Sequence, residues 1–351
     1  VGDPGSSHAI AWEPLPVPIS VLHPKPGRAE SVDSARSIPP GWIVAALIAS
    51  VLATAALMAC ARLSIAPLAP GTLIFVLVFG TLGAFHWACQ RPRTRLGQAV
   101  RDGTAYYGLF MAFSLTGAVA SYPVAALSSG YADPALHRID LAMQFDWLAW
   151  YRTVAHHRWL QIAGRVAYET IYFSPAILLG YCALAGKRRT AHDFIAATWL
   201  AALMTLIAFY FIPAIGPLGY LMWRDPVAYL PISDLWQPTL IPLLRAHAIG
   251  QIDLGHLVGL VSAPSFHTAA GVLMIAYGRS LPPVRVAMLA LNGAMLLATP
   301  VEGTHYLIDM ILGVLVALAA LALVAAGRVV MIALVRGKTR RNHPLARRCV
   351  T

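Results

Sequence analysis

Gly303-Thr304-His305-Tyr306-Leu307-Ile308-Asp309 decides the reading of this chain, because an imidazole and a carboxylate here open a long apolar stretch. Residues 310–326, which follow, carry no charge at all. On a helix, His305 and Asp309 stand slightly more than one turn apart, on one face and within mutual reach. An ionisable pair at the mouth of a membrane-spanning helix is costly, and its default reading is functional. A second polar cluster, Pro264-Ser265-Phe266-His267-Thr268, opens another apolar stretch upstream in the same way.

Working outward, the whole chain shares this character. It has 351 residues, 58% hydrophobic and only 12% charged, which is too apolar for an ordinary soluble protein. A helix needs about 20 residues to cross a hydrocarbon core of ~30 Å. Eight stretches reach or approach that length: 41–61, 71–90, 103–127, 162–185, 194–213, 264–281, 284–300 and 306–327. The predicted fold is therefore all-α, a polytopic membrane helix bundle of about eight transmembrane helices.

Lysine and arginine orient the bundle. The segments 91–101, 187–189 and 279–285, with the residues before 41 and after 327, hold 19 of the 26 basic residues. With eight alternating helices all of these fall on one side, and the positive-inside rule makes that side cytoplasmic. Both termini are then cytoplasmic, in a multi-pass protein of the cell membrane. A net charge of +11 needs no nucleic acid, since the basic residues border membrane spans and anionic headgroups account for them. Of the four cysteines only Cys60 lies near an outer end, so an outer disulfide has no pair to form from.

The organisation predicted is a disordered cytoplasmic tail over 1–40, proline-rich and without apolar period. A membrane-embedded catalytic domain follows over 41–327, with its motifs in 162–327, and a basic cytoplasmic tail over 328–351. Two outer loops are long. Residues 128–161, rich in tryptophan and tyrosine, read as helices lying in the interface. Residues 214–263, with Gly216-Pro217-Leu218-Gly219-Tyr220, read as a substrate cap. The tryptophans read mostly as belt residues, and His137, His156, His157, His247 and His256 as loop surface.

Under this topology Ser265 and His267 reach the same depth, on the same outer face, as His305 and Asp309. Phosphoryl transfer needs a nucleophile, an acid for the leaving oxygen, and donors or positive charge around the phosphate. His305 reads as the nucleophile, and Asp309 as the group that fixes its tautomer. His267 reads as the acid that protonates the departing alkoxide. Ser265 and the backbone N–H groups at both helix starts read as holders of phosphate oxygens. Ser265 alone is also a natural N-cap. Two histidines and a carboxylate would also suit a metal; the metal-free, cofactor-free reading ranks above it.

At these residues the chain resembles the type-2 phosphatidic acid phosphatase superfamily. Pro264-Ser265-Phe266-His267 matches its second motif, and His305 with Asp309 matches the end of its third. His305-Tyr306-Leu307-Ile308-Asp309 and Pro213-Ala214-Ile215-Gly216-Pro217 look most like the branch of inositol phosphorylceramide and sphingomyelin synthases. The superfamily's first motif is missing, and Ala298-Thr299 stands where its third motif has Ser-Arg. Two phosphate-clamping cations are therefore absent from their usual places. Arg165, Tyr168, Glu169 and Tyr172 fall at helical spacing on the fourth stretch, and Arg165 reads either as a replacement cation or as an interfacial partner of Glu169. Tyr168, Glu169, Gly216 and Tyr220 join it as expected substrate contacts.

The resemblance implies an integral-membrane phosphotransferase. It would act on a phospholipid or isoprenoid phosphate through a phosphohistidine, at the extracytoplasmic face, with a lipid alcohol as acceptor. The alternative is a lipid phosphate phosphatase, with water in the alcohol's place. A transporter or channel ranks last, since neither inverted repeats nor paired broken helices are seen.

Overall fold

The computed structural model describes residues 41–222, 229–233 and 236–341, with side chains described to 330. The tail predicted over 1–40 and the end of the basic tail lie outside the described residues. The described chain is helical almost throughout, as the composition requires. Its helices are α1 (Gly41–Cys60), α2 (Pro70–Ala88), α3 (Arg95–Leu127), α4 (Asp133–Ala142), α5 (Trp147–His156), α6 (Arg158–Glu169) and α7 (Ser174–Leu184). There follow α8 (Arg188–Phe211), α9 (Gly216–Leu221), α10 (Trp236–Arg245), α11 (Phe266–Arg279), α12 (Pro282–Glu302) and α13 (Leu307–Arg341).

Among the described residues, six helices are long and apolar enough to cross a membrane: α1, α2, α3, α8 with its continuation, α12, and α13 as far as Val330. The remaining two expected crossings take a different form. The stretch 162–185 is broken into α6, a 3-10 turn over Thr170–Tyr172, and α7. Pro175 sits in the first turn of α7, where its missing N–H is harmless and where a continuous helix would have lost a bond and met a clash. The stretch 264–281 becomes the 14-residue α11, about 21 Å long. It is short because Ser265 caps its start well inside the protein.

Lipid exposure follows from sequence that is apolar on every side. In α2 only Gly71 is buried, while Val76 and Leu77 are two-thirds exposed. A helix without a polar face cannot stand in water like this, and hydrocarbon is its natural surrounding. The core lies between α3, α7, α8, α11 and α12, where Leu178, Phe194, Ile195, Leu273 and Met288 are almost fully buried.

The chain's connections gather at two ends. At one end the strand pair Ser64–Ile65 and Gln251–Ile252 joins two loops, and Arg245 donates to the Ser128 hydroxyl at 2.9 Å and the Gly130 carbonyl at 3.0 Å. The backbone N–H of Ala132 donates to the Pro213 carbonyl there. These are the loops predicted to be outer. At the other end Arg101 and Arg188 flank the Asp102 carboxylate, and Arg328 pairs with Asp193. The loop 128–161, expected on the outer side, contains two short helices, α4 and α5. Trp147, however, is fully buried, its indole N–H on the Pro300 carbonyl at 2.7 Å, and so departs from the belt role expected of the tryptophans.

Candidate active site

Two helix starts meet at the loop-rich end. Ser265 caps α11, its hydroxyl oxygen accepting the Thr268 N–H at 3.3 Å, so His267 is fixed in the first turn. The Ser265 N–H in turn donates to the Asp309 carbonyl at 3.0 Å, tying α11 to the first turn of α13. Gly313 permits the approach: a Cβ there would lie 2.4 Å from the Ser265 carbonyl oxygen. The two motifs are thereby brought together. The His267 and His305 ring centroids stand 6.3 Å apart at 52°.

His305 is 2% exposed and Asp309 is fully buried. His305 Nδ1 lies 3.6 Å from Asp309 Oδ2, beyond hydrogen-bond length, and among the described residues neither His305 Nδ1 nor Asp309 Oδ1 has a hydrogen-bond partner. Asp309 Oδ2 accepts the Ser262 hydroxyl and the Tyr306 N–H, each at 3.2 Å. Burial pushes the His305 imidazole down to about 4, so the ring is neutral at pH 7. His267 is half-buried and stacks on Tyr168, with centroids 4.8 Å apart and planes 21° from parallel. The Tyr168 hydroxyl meets the Ser233 hydroxyl at 3.3 Å.

The turn that carries His305 is held from outside by α4. Asp140 accepts the N–H groups of Leu307 and Ile308 at 2.8 and 2.9 Å, capping α13 with a residue far away in sequence. Asp133 accepts the N–H groups of Ile215 and Gly216 at 3.0 Å each, and the Tyr306 hydroxyl at 3.1 Å. Both carboxylates are fully buried, and burial raises both above the usual range while these hydrogen bonds act in the opposite direction. Neither is among the site residues expected from the sequence. Their spacing with His137, at i, i+4 and i+7, was the available signal of one inward polar face. His137 is in fact half-buried between them, its ring 5.9 Å from that of Tyr220 and 6.5 Å from that of Tyr306.

Several expectations change with this geometry. The backbone N–H groups at the start of α13 are not free for phosphate, because Asp140 and Asp309 occupy them. Gly216, expected at the substrate, spends its N–H on Asp133. Its φ of +83° and its place against the Thr304 carbonyl explain the glycine as a turn residue. Arg165, Tyr168 and Glu169 lie at helical spacing on α6, but Tyr172 falls in the 3-10 turn beyond its end, and of the four only Tyr168 is buried toward the histidines. Arg165 is exposed and donates to the Leu230 carbonyl at 3.4 Å, and Glu169 is exposed beyond it. Among the described residues, no group of three His, Cys, Asp or Glu side chains is arranged to hold a metal ion.

A multi-pass helical membrane protein with two histidine-bearing helix starts converging at one end is the class that this fold and geometry define. A family model described as the PAP2 superfamily matches residues 134–323, just over half of the chain, and the chain belongs to that superfamily. Membership brings a phosphatase- or phosphotransferase-type activity on lipid phosphates. No curated protein and no solved structure matches the chain.

Proposed function

We propose that the protein is a lipid phosphotransferase of the synthase-like branch, working through a phosphohistidine on His305 at the extracytoplasmic face. The observation that carries this reading is the convergence of His267 on the His305–Asp309 pair, with ring centroids at 6.3 Å and His305 Nδ1, without a hydrogen-bond partner among the described residues, facing Asp309 Oδ2 at 3.6 Å. Nδ1 of His305 faces Asp309, which leaves Nε2 as the attacking atom. A closure of well under 1 Å would bring Nδ1–H onto the carboxylate, and catalytic hydrogen bonds commonly tighten in this way when substrate binds.

In the first step Nε2 bonds to phosphorus and the bond from phosphorus to the departing lipid oxygen breaks. His267, made imidazolium by the arriving anionic phosphate, gives its proton to that oxygen. Asp309 stabilises the positive charge on the phosphorylated ring. In the second step His267 takes a proton from the acceptor alcohol, whose oxygen bonds to phosphorus as the P–N bond breaks. Water in place of the alcohol gives hydrolysis with the same residues. Ser265 and the N–H groups of Phe266 and His267, in the first turn where a helix supplies no acceptor of its own, hold phosphate oxygens at the start of α11. Arg165 supplies positive charge at the rim, and no metal or cofactor is needed for either step.

The test is turnover of phosphate-bearing lipids by purified protein in bilayer discs, with and without long-chain alcohols. Transfer requires that an alcohol divert phosphate from water to a new lipid ester. Phosphate release indifferent to every alcohol makes the protein a phosphatase.

A further inference from the structure

Glu302 is 1% exposed and ends α12, three residues before His305. A carboxylate in the last turn of a helix opposes the helix dipole, and a buried one costs free energy unless its oxygens are satisfied. Packing alone would favour an apolar residue here. Its oxygens are satisfied by one segment of the second outer loop: Oε1 takes the Tyr229 hydroxyl, and Oε2 takes the Ile232 N–H at 3.1 Å. The Glu302 carbonyl takes the Ser233 N–H at 2.9 Å. Gly164 leaves room for this, since a Cβ there would stand 3.1 Å from Oε1.

The same five residues, 229–233, reach the other imidazole. The Ser233 hydroxyl meets the hydroxyl of Tyr168, whose ring stacks on His267. Tyr151 donates to the Tyr229 carbonyl and Arg165 to the Leu230 carbonyl, so α5 and α6 hold the segment from behind. One short piece of chain is thus tied to Glu302, three residues before His305, and through Tyr168 to His267, and among the described residues its charged partners are Glu302 and Arg165.

We propose that Glu302 is a positioning residue, whose carboxylate clamps segment 229–233 across both motifs and so sets the two imidazoles at their working separation. The proposal rests on the histidine mechanism above, but half of its test does not. Glu302→Ala removes the acceptor of the Ile232 N–H and the Tyr229 hydroxyl while keeping the Ser233 bond. Hydrogen exchange on the full chain in bilayer discs reads the clamp without substrate. Exchange at Ile232 rises about tenfold or more, the scale of a lost charge-assisted hydrogen bond.

Turnover of a lipid phosphate reads the consequence. In Glu302→Ala, kcat falls about tenfold or more with KM within about threefold, because the reacting geometry and not the affinity is disturbed. Glu302→Gln, whose amide still meets both partners, restores most of kcat and of the protection. Tyr229→Phe removes a single hydroxyl and gives a smaller change of the same sign, which serves if Glu302→Ala does not fold. Unchanged exchange at Ile232, or raised exchange with unchanged kcat, overturns the proposal. So does a kcat loss that glutamine fails to rescue. If the wild-type protein turns over no lipid phosphate, the mechanism fails, while the exchange result still judges the clamp.

Discussion

Asp140 and Asp309 are both fully buried carboxylates at the start of α13, one reaching it from α4 and the other from its own first turn, yet they are treated in opposite ways. Asp140 has an N–H group on each oxygen and completes the cap of α13. Asp309 leaves Oδ1 without a partner among the described residues, and the imidazole that its Oδ2 faces stands just too far away to bond. The α4 region is finished, and the His305 turn is not. A buried polar group left unmatched costs about 1–3 kcal/mol, so its retention points to a partner that arrives later. The difference separates the part of this end that builds the site from the part that reacts.

If that division holds, substitutions in the two regions affect different quantities. The largest effect belongs to the nucleophile. His305→Ala lowers turnover by about 10⁴-fold or more, with its thermal midpoint little changed, measured by phosphate transfer and by unfolding in detergent. His267→Ala follows, at about 10²–10⁴-fold. Its loss shrinks with a phosphate ester whose leaving group departs without a proton, and an undiminished loss would deny it the role of acid.

Asp309→Asn keeps an oxygen for Ser262 and Tyr306 but removes the charge facing Nδ1. It costs about 10²-fold or more in kcat with nearly unchanged stability. Asp140→Asn shows the reverse: about 1–2 kcal/mol of stability lost, from one cap bond and the charge at the helix start, with the phosphohistidine still formed. Equal stability losses in the two asparagine variants would erase the distinction between the regions.

The smallest effect is in pH. The His305 ring is held below its ordinary value by burial, so the unfolded chain binds the extra proton first as pH falls. Stability from this residue is complete above about 6.5 and declines toward 4. His305→Asn should therefore flatten the acid side of the thermal-midpoint curve relative to wild type, with the curves parallel above pH 7.

The sequence revealed what depends on local pattern. Apolar length gave the bundle, and the spacing of His305 with Asp309 placed both groups on one face of α13. It also showed Ser265 as a cap, because capping is a short-range property. The scaffold around the pair was not visible in this way. Asp140 and Asp133 serve backbone groups 82–168 residues away, and no local period records such partners. Glu302 left a trace, a carboxylate at the wrong end of a helix. The break between α6 and α7 also had its signal in Ser174-Pro175, outweighed by the apolar length of the stretch around it.

Phosphate trapping tests the central claim most directly. Protein quenched during turnover of a lipid carrying labelled phosphate should hold acid-labile, alkali-stable label on the peptide containing His305. That label should be absent from His305→Ala and should accumulate when acceptor is withheld. Label on any other residue, or full turnover by His305→Ala, would contradict the account.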